Sequence, residues 1–370
     1  MVVRLKIITY LCILNVLEGC VEIFEFNTDN ETPGVVIEGY ISDVSSEDYY
    51  SEFDENRFFK VTIKYSSRAK NIRDIGVENA EVELHSITNN EYWDYTDTGE
   101  GVYRLLFNEF EALPNHEYQL KVKLPEGIEI VSDMEMMPKA NVIGEINFKE
   151  AIEFQYVYVA DEEVIKEVAG VDVNISIPES ANVDDLYYRW NFLTTWTLKA
   201  VLIPERSPVG VCWVTENYLL DEFKLSEYKG LPLNRELFFM ATNRNLPVRD
   251  GMAVRVNQMS MNAKYYQFWE DLDNQKKQEE LFAPPPYNML TNMSTSSPDL
   301  EVYGYFGVVK EHTYTWYFDL DKLSYRPIFT EPCYLEFAND RPAYCGNCLA
   351  YEGLKYGDEI TNVKPKWWTF

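Results

Sequence analysis

Histidine is scarce in this chain of 370 residues, with three, at positions 85, 116 and 312. His85, His116 and His312 lie far apart and outside any H-E-x-x-H spacing, so zinc or acid–base chemistry on imidazole would need an unusual arrangement. Each reads as a surface residue of a strand or turn. Nucleophile and phosphate signatures are missing too: no G-x-S-x-G and no G-x-x-x-x-G-K occurs. Ser67 to Lys70 and Ser226 to Lys229 match a bare S-x-x-K, without its companion motifs. Positive charge is short as well, 33 Lys and Arg against 61 Asp and Glu, a formal net charge of −28. Such a surface repels phosphate backbones, which excludes nucleic acid as a partner. No D-x-D-x-D-G loop is present, so the acidity does not point to calcium. Glu47, Asp48, Glu52, Asp54 and Glu55 read instead as a solvated loop. No cofactor is expected.

What the chain does have is apolar and aromatic side chains, 46% and 15% of residues, with 27 Tyr. That composition builds a globular body and leans towards pleated, half-buried surfaces. The length suggests two domains.

Long apolar runs are confined to the start. Arg4 and Lys6 precede Ile7 to Leu17, an apolar stretch broken by Thr9 and Asn15. It is shorter than the roughly 20 residues a bilayer span needs, but suits a secretory leader. The run ends in Leu17-Glu18-Gly19-Cys20, which resembles the lipobox of bacterial lipoprotein signals, with Glu18 departing from the usual small or apolar residue. A thiol is required there because diacylglycerol is attached through sulfur. The expectation is a signal peptide over 1–19, lipid on Cys20 and an acidic tether over 20–34.

From residue 35 the alternation has a period of two. Phe59, Val61, Ile63 and Tyr65 alternate with Lys60, Thr62 and Lys64, and Tyr118, Leu120, Val122 and Leu124 with polar neighbours. Strands are also expected at 35–41, 80–84, 92–95 and 102–107, separated by Asn, Gly, Asp and Pro turns. Six strands in about 100 residues predict a β-sandwich over 35–137. The run from Asn79 through Leu105 looks like the transthyretin-like or carboxypeptidase-regulatory-like sandwich. A boundary is expected near Met136-Met137-Pro138-Lys139, followed over 138–370 by a larger β-rich domain. Its strands are expected at 171–177, 186–198, 252–256 and 302–309. A helix near 261–281 is predicted, with Ser260 as N-cap and Tyr265, Phe268, Trp269 and Leu272 on its buried face. The whole reads as mainly β.

With Cys12 in the leader and Cys20 lipidated, Cys212, Cys333, Cys345 and Cys348 remain, an even number in an exported chain. Two disulfides are expected, in any of three connectivities. A structural zinc site on the same four cysteines is the alternative, because Cys345 and Cys348 have C-x-x-C spacing. Of the many acidic pairs, Asp184 and Asp185 before the aromatic strand are the most specific; a turn or cap role is favoured over a glycosidase pair.

Further motifs occur in order: Val35 to Ile41, Leu281-Phe282-Ala283-Pro284-Pro285-Pro286, Asn292, Val302-Tyr303-Gly304-Tyr305-Phe306-Gly307, the cysteines, and Lys364-Pro365-Lys366-Trp367-Trp368. Together with Cys20 they resemble the Bacteroidetes lipoproteins grouped as domain of unknown function 4249. That resemblance implies a lipid-anchored outer-membrane lipoprotein, and Glu22 and Glu25 after Cys20 resemble the surface-export signals of Bacteroidetes, so the cell surface is the expected location. It implies an accessory subunit beside a SusC-like TonB-dependent β-barrel receptor, with no catalytic residues. The alternatives are a surface adhesin or structural lipoprotein, and a glycan-processing hydrolase working through Asp184 or Asp185.

Overall fold

A computed structural model of the protein describes residues 34–66, 75–159, 162–181, 185–216, 223–277, 290–329, 332–334, 341–355 and 357–369. The leader, Cys20, Ser67, Lys70, Asp184 and the Pro284–Pro286 run lie outside them. The N-terminal strands are β1 (Val35–Ser42), β2 (Lys60–Tyr65), β3 (Ile75–Gly76), β4 (Glu81–Ser86), β5 (Glu91–Asp94), β6 (Thr96–Asp97), β7 (Val102–Arg104), β8 (Glu117–Lys123), β9 (Glu129–Ser132) and β10 (Glu135–Met136). Then come β11 (Glu145–Val159), β12 (Glu162–Ile177), β13 (Leu186–Lys199), β14 (Val211–Glu216), β15 (Lys224–Tyr228), β16 (Leu233–Ala241), β17 (Met252–Met261), β18 (Met293–Thr295), β19 (Val302–Phe318) and β20 (Glu359–Thr361). Three α-helices accompany them: α1 (Ser46–Phe53), α2 (Leu246–Arg249) and α3 (Ala263–Lys277). The protein is mainly β.

An eleven-stranded sheet forms the spine, in the order β20-β14-β13-β17-β19-β1-β2-β7-β6, with β15 also on β13 and β3 on β2. Its N-terminal half faces a six-stranded sheet, β18-β9-β8-β4-β5 with β10 on β8. Ile37, Val61, Ile63, Leu84, Leu120 and Val122 are buried between these layers, the inward set that the alternation predicts. The C-terminal half faces a three-stranded sheet, β11-β12-β16. Tyr188, Trp190, Trp196, Val173, Ile175 and Phe238 fill that second core. On the opposite face of the spine, Tyr265 and Phe268 of α3 pack with Met259, Met261, Tyr305 and Val309.

Segment 35–137 does not close its sandwich alone. β18 pairs with β9, and β19 pairs in parallel with β1, Val35 opposite Val302 through Ser42 opposite Val309. Met293, Phe306 and Val308 belong to the N-terminal core. The loosening of pattern near Met136 therefore marks a change of layer, while one sheet runs across both halves.

Three local expectations need correction. The acidic stretch at 47–55 is exposed at Glu47, Asp48 and Glu52 as expected, but it is a helix and not a loop. Residues 46–53 form α1, capped by Ser45, whose Oγ accepts from the Asp48 amide at 3.0 Å. Ser260 is not the cap of α3 either. It lies in β17 and its hydroxyl donates to the Ala140 carbonyl at 3.2 Å, while Asn262 Oδ1 accepts from the Tyr265 amide at 2.9 Å. The strand expected at 102–107 ends at Arg104.

The four cysteines pair as Cys212–Cys348 and Cys333–Cys345, so the C-x-x-C pair is split between two bonds. With every sulfur in a disulfide no thiolate is left for zinc, and the four-cysteine zinc site is set aside. Cys212 sits in β14 and its bond ties the short 3₁₀ turn Cys348–Ala350 to the spine. The first bond joins residues 136 apart and the second residues 12 apart. Chain-entropy arguments give upper values of about 5 and about 3 kcal/mol respectively. Replacing Cys212 and Cys348 together by Ser is therefore expected to destabilise more in urea titrations than replacing Cys333 and Cys345; the reverse ranking would contradict this account.

Candidate functional site

The predicted chemical residues are not brought together. His85 is buried and stacks on Tyr92, ring centroids 4.0 Å apart. His116 turns to the Pro114 carbonyl and the Asn89 side chain. His312 stands in β19 beside Tyr314, and burial lowers its pKa. Lys229 pairs with Glu227, and the Ser226 hydroxyl donates to the Glu227 carbonyl, so the S-x-x-K match at 226–229 is no Ser–Lys dyad. Asp185 is exposed at the rim of an apolar groove of about 440 Å³ with Met136, Met137, Tyr187 and Met261. Among the described residues no group of three or more His, Cys, Asp or Glu could hold a metal ion.

Charged groups do converge where α1 meets the spine. Glu311 of β19 is buried and accepts from Arg57 Nη2 at 2.8 Å, Arg57 Nη1 at 3.1 Å, Asn257 Nδ2 at 2.8 Å and the Ser42 hydroxyl. The Tyr40 hydroxyl adds a longer contact at 3.5 Å. Burial, reinforced by the Glu311 charge, pushes the Tyr40 hydroxyl pKa far up. Burial would lower the Arg57 pKa, but Glu311 together with Tyr40 and Tyr49 more than offsets it and holds the guanidinium charged. Next to it Arg255 makes a bidentate pair with Glu55 at 2.8 and 3.0 Å and donates to the Tyr49 hydroxyl at 3.2 Å. Its guanidinium lies against the rings of Phe53 and Trp367, 5.1 and 4.9 Å from their centroids. A cavity of about 160 Å³ lies among Tyr40, Tyr49, Arg57, Asn191, Arg255 and Asn257. Both oxygens of Glu311 are occupied by donors. The cluster is a latch that fixes α1 and the C-terminal Trp367 to the sheet.

The surface that departs most from a folded body is the far part of β11 and β12. Their pairing runs from Glu145 opposite Ser176 to Val159 opposite Glu162. The third strand, β16, supports β12 only from Gly170 to Ile177. Residues 151–159 and 162–169 therefore project as a two-stranded arm. Side chains two apart share a face. On β11 that face begins with Ile146 and Phe148, which pack on the second core, Phe148 edge-on to Phe318 at 5.5 Å. Glu150 follows and binds Ser324, marking where the arm leaves the body. Beyond it the same face stays apolar but uncovered: Ile152 is 61% exposed, Phe154 68%, Tyr156 70%, and Ile165, opposite Tyr156, 59%. The strand expectation at 171–177 covers only the supported end of β12. The signal for the arm is in the sequence, as Ile146, Phe148, Ile152, Phe154 and Tyr156 recur at even spacing.

One carboxyl is strongly perturbed by burial. Glu216 at the end of β14 is buried; its Oε1 accepts from Trp196 Nε1 at 2.9 Å and its Oε2 has no partner among the described residues. Burial pushes its pKa up to about 7 from an ordinary value of 4.5. The unfolded chain loses this proton near 4.5 and the folded chain near 7, so the stability the group contributes declines as pH rises between them. Glu216→Gln keeps an acceptor for Trp196 and removes the titration. Calorimetry at pH 5 and pH 8 is expected to show a smaller fall in melting temperature for the variant, by a few degrees; identical pH profiles would refute the assignment.

Comparison with known proteins adds a family and no more. No curated protein and no solved structure matches the chain. A family model described as Domain of unknown function (DUF4249) matches residues 21–315, well over half of the sequence. The motifs it spans include β1, Asn292, Gly304 and Gly307, and the arm itself. The chain belongs to the family Domain of unknown function (DUF4249).

Proposed function

We propose that this is a non-enzymatic lipoprotein of the outer membrane, held by lipid on Cys20, that serves as a docking and accessory subunit of a SusC-like TonB-dependent transport complex. The observation that carries the reading is the arm of β11 and β12, a core-type apolar face extended into solvent. A two-stranded ribbon is marginal alone, and contiguous exposed apolar surface of this kind marks interaction sites. The leader ending in Leu17-Glu18-Gly19-Cys20 supplies the anchor. The saturated Glu311 cluster supports a structural use of the buried charges over a catalytic one. A surface adhesin would use the same arm, and partner identity separates the two.

Mass spectrometry of the protein purified from its own membranes is expected to find a diacylglyceryl group on an N-terminal Cys20. Gentle detergent extraction is expected to bring down a large β-barrel receptor. An unmodified Cys20 or an intact leader would sink the anchoring, and recovery of monomer alone would sink the transport role.

A further inference from the structure

The composition of the arm says what kind of surface covers it. Over 151–169 it carries Glu153, Asp161, Glu162, Glu163 and Glu167 against a single Lys166. Three of those carboxylates are consecutive in the sequence, Asp161-Glu162-Glu163. Burying a segment so rich in carboxylates in lipid is costly, and its sign repels anionic headgroups. A second copy of the chain is disfavoured for the same reason: both arms are acidic, each on a body of formal charge −28. Glu167 lies opposite Phe154 on the apolar face itself, so a copy stacked on that face would bring like charges together.

We propose, resting on the docking reading above, that the apolar face of the arm seats on a different protein whose surface offers two adjacent apolar slots edged by lysine or arginine. Phe154 and Tyr156 are the anchors. Two residues of strand separate their rings by about 7 Å, which sets the spacing of the slots. Glu167, opposite Phe154 on the same face, supplies charge complementary to the rim. The four exposed side chains present on the order of 500 Å², roughly half of one side of a standard interface. The arm therefore anchors a contact that neighbouring parts of the body extend. Among the described residues β11 pairs with no strand but β12, so its outer edge has backbone groups for a partner strand to meet.

The test is photocross-linking in the native cells, with a benzophenone amino acid at Phe154 and, on the opposite face, at Gln155 in the full chain. The adduct is identified by mass spectrometry. Expected is one distinct protein, trapped at least about tenfold better from position 154, at a peptide bordered by Lys or Arg. Adding Glu167→Lys, on the face of Phe154, is expected to lower that yield about two- to fivefold. A second copy of the chain, a phospholipid, equal yield from both positions, no adduct, or indifference to the charge reversal would each overturn the proposal. Phe154→Ser with Tyr156→Ser should leave the melting temperature unchanged while co-purification of the partner falls about tenfold. If a β-barrel receptor still co-purifies with that variant, the transport reading stands and the arm is not its anchor. If the adduct is a protein other than a barrel receptor, the arm proposal stands and the transport reading falls.

Discussion

The parallel pairing of β1 with β19 is the constraint on which the rest of the structure depends, because it joins the first described strand to one near the end of the chain and makes one spine from two halves. Three motif residues exist to permit it. Gly304 has φ +92°, and a Cβ there would overlap the Ile37 carbonyl, so any larger residue would push the strands apart. Gly307 leaves room for the Tyr265 ring, which seats α3 on the spine. Asn292 is buried and meets both backbone groups of Phe306, its Oδ1 accepting from the amide at 3.0 Å and its Nδ2 donating to the carbonyl at 2.9 Å. It acts as one residue of an additional strand. At the far end of the pair, Asp43 accepts from the Glu311 amide at 2.8 Å and the Ser42 hydroxyl donates to the Glu311 carboxylate. The polar latch thus begins where the apolar pairing stops.

The same arrangement explains which parts of the fold the sequence discloses. Alternation places β2 and β8 correctly because each has one face on a core and one in water, so a period of two is visible over a few residues. The helical spacing of Tyr265, Phe268 and Trp269 is equally local. Glu55 and Asp54 are different. Their partners, Arg255 and Lys366, lie 200 and more residues away, and no window of sequence connects them. An acidic stretch destined for such partners looks the same as a solvated one. The cap of α3 shows a finer limit: Ser260 and Asn262 are both acceptable caps by type, and the length of β17 decides between them. Cysteine count gives two disulfides, but the pairing depends on Cys348 reaching β14, a fact of tertiary structure.

The arm is where local and global logic part company. Its alternation is that of a strand inside a sandwich, and the first two members of the series, Ile146 and Phe148, are used that way. The others are patterned for a cover that this chain does not provide among its described residues. Natural sequences are largely consistent from local pattern to global fold, and departures from that consistency concentrate at functional sites. Stability arguments cannot account for Phe154 and Tyr156, since an exposed ring on an unsupported ribbon adds little to folding. A recognition argument can, because rigid aromatic side chains bring large contact area at small entropic cost.

An exposed apolar ribbon with open edges is also the usual starting point for aggregation. The net charge of the chain answers that hazard. With 61 acidic residues against 33 basic ones, two copies repel before their arms can pair, and the carboxylates between the apolar positions of the arm repeat the safeguard locally. The same charge favours a partner of opposite sign, so one property suppresses self-association and selects what may bind. The acidity and the arm are therefore two parts of one device: the apolar face provides the contact, and the charge decides with whom it is made.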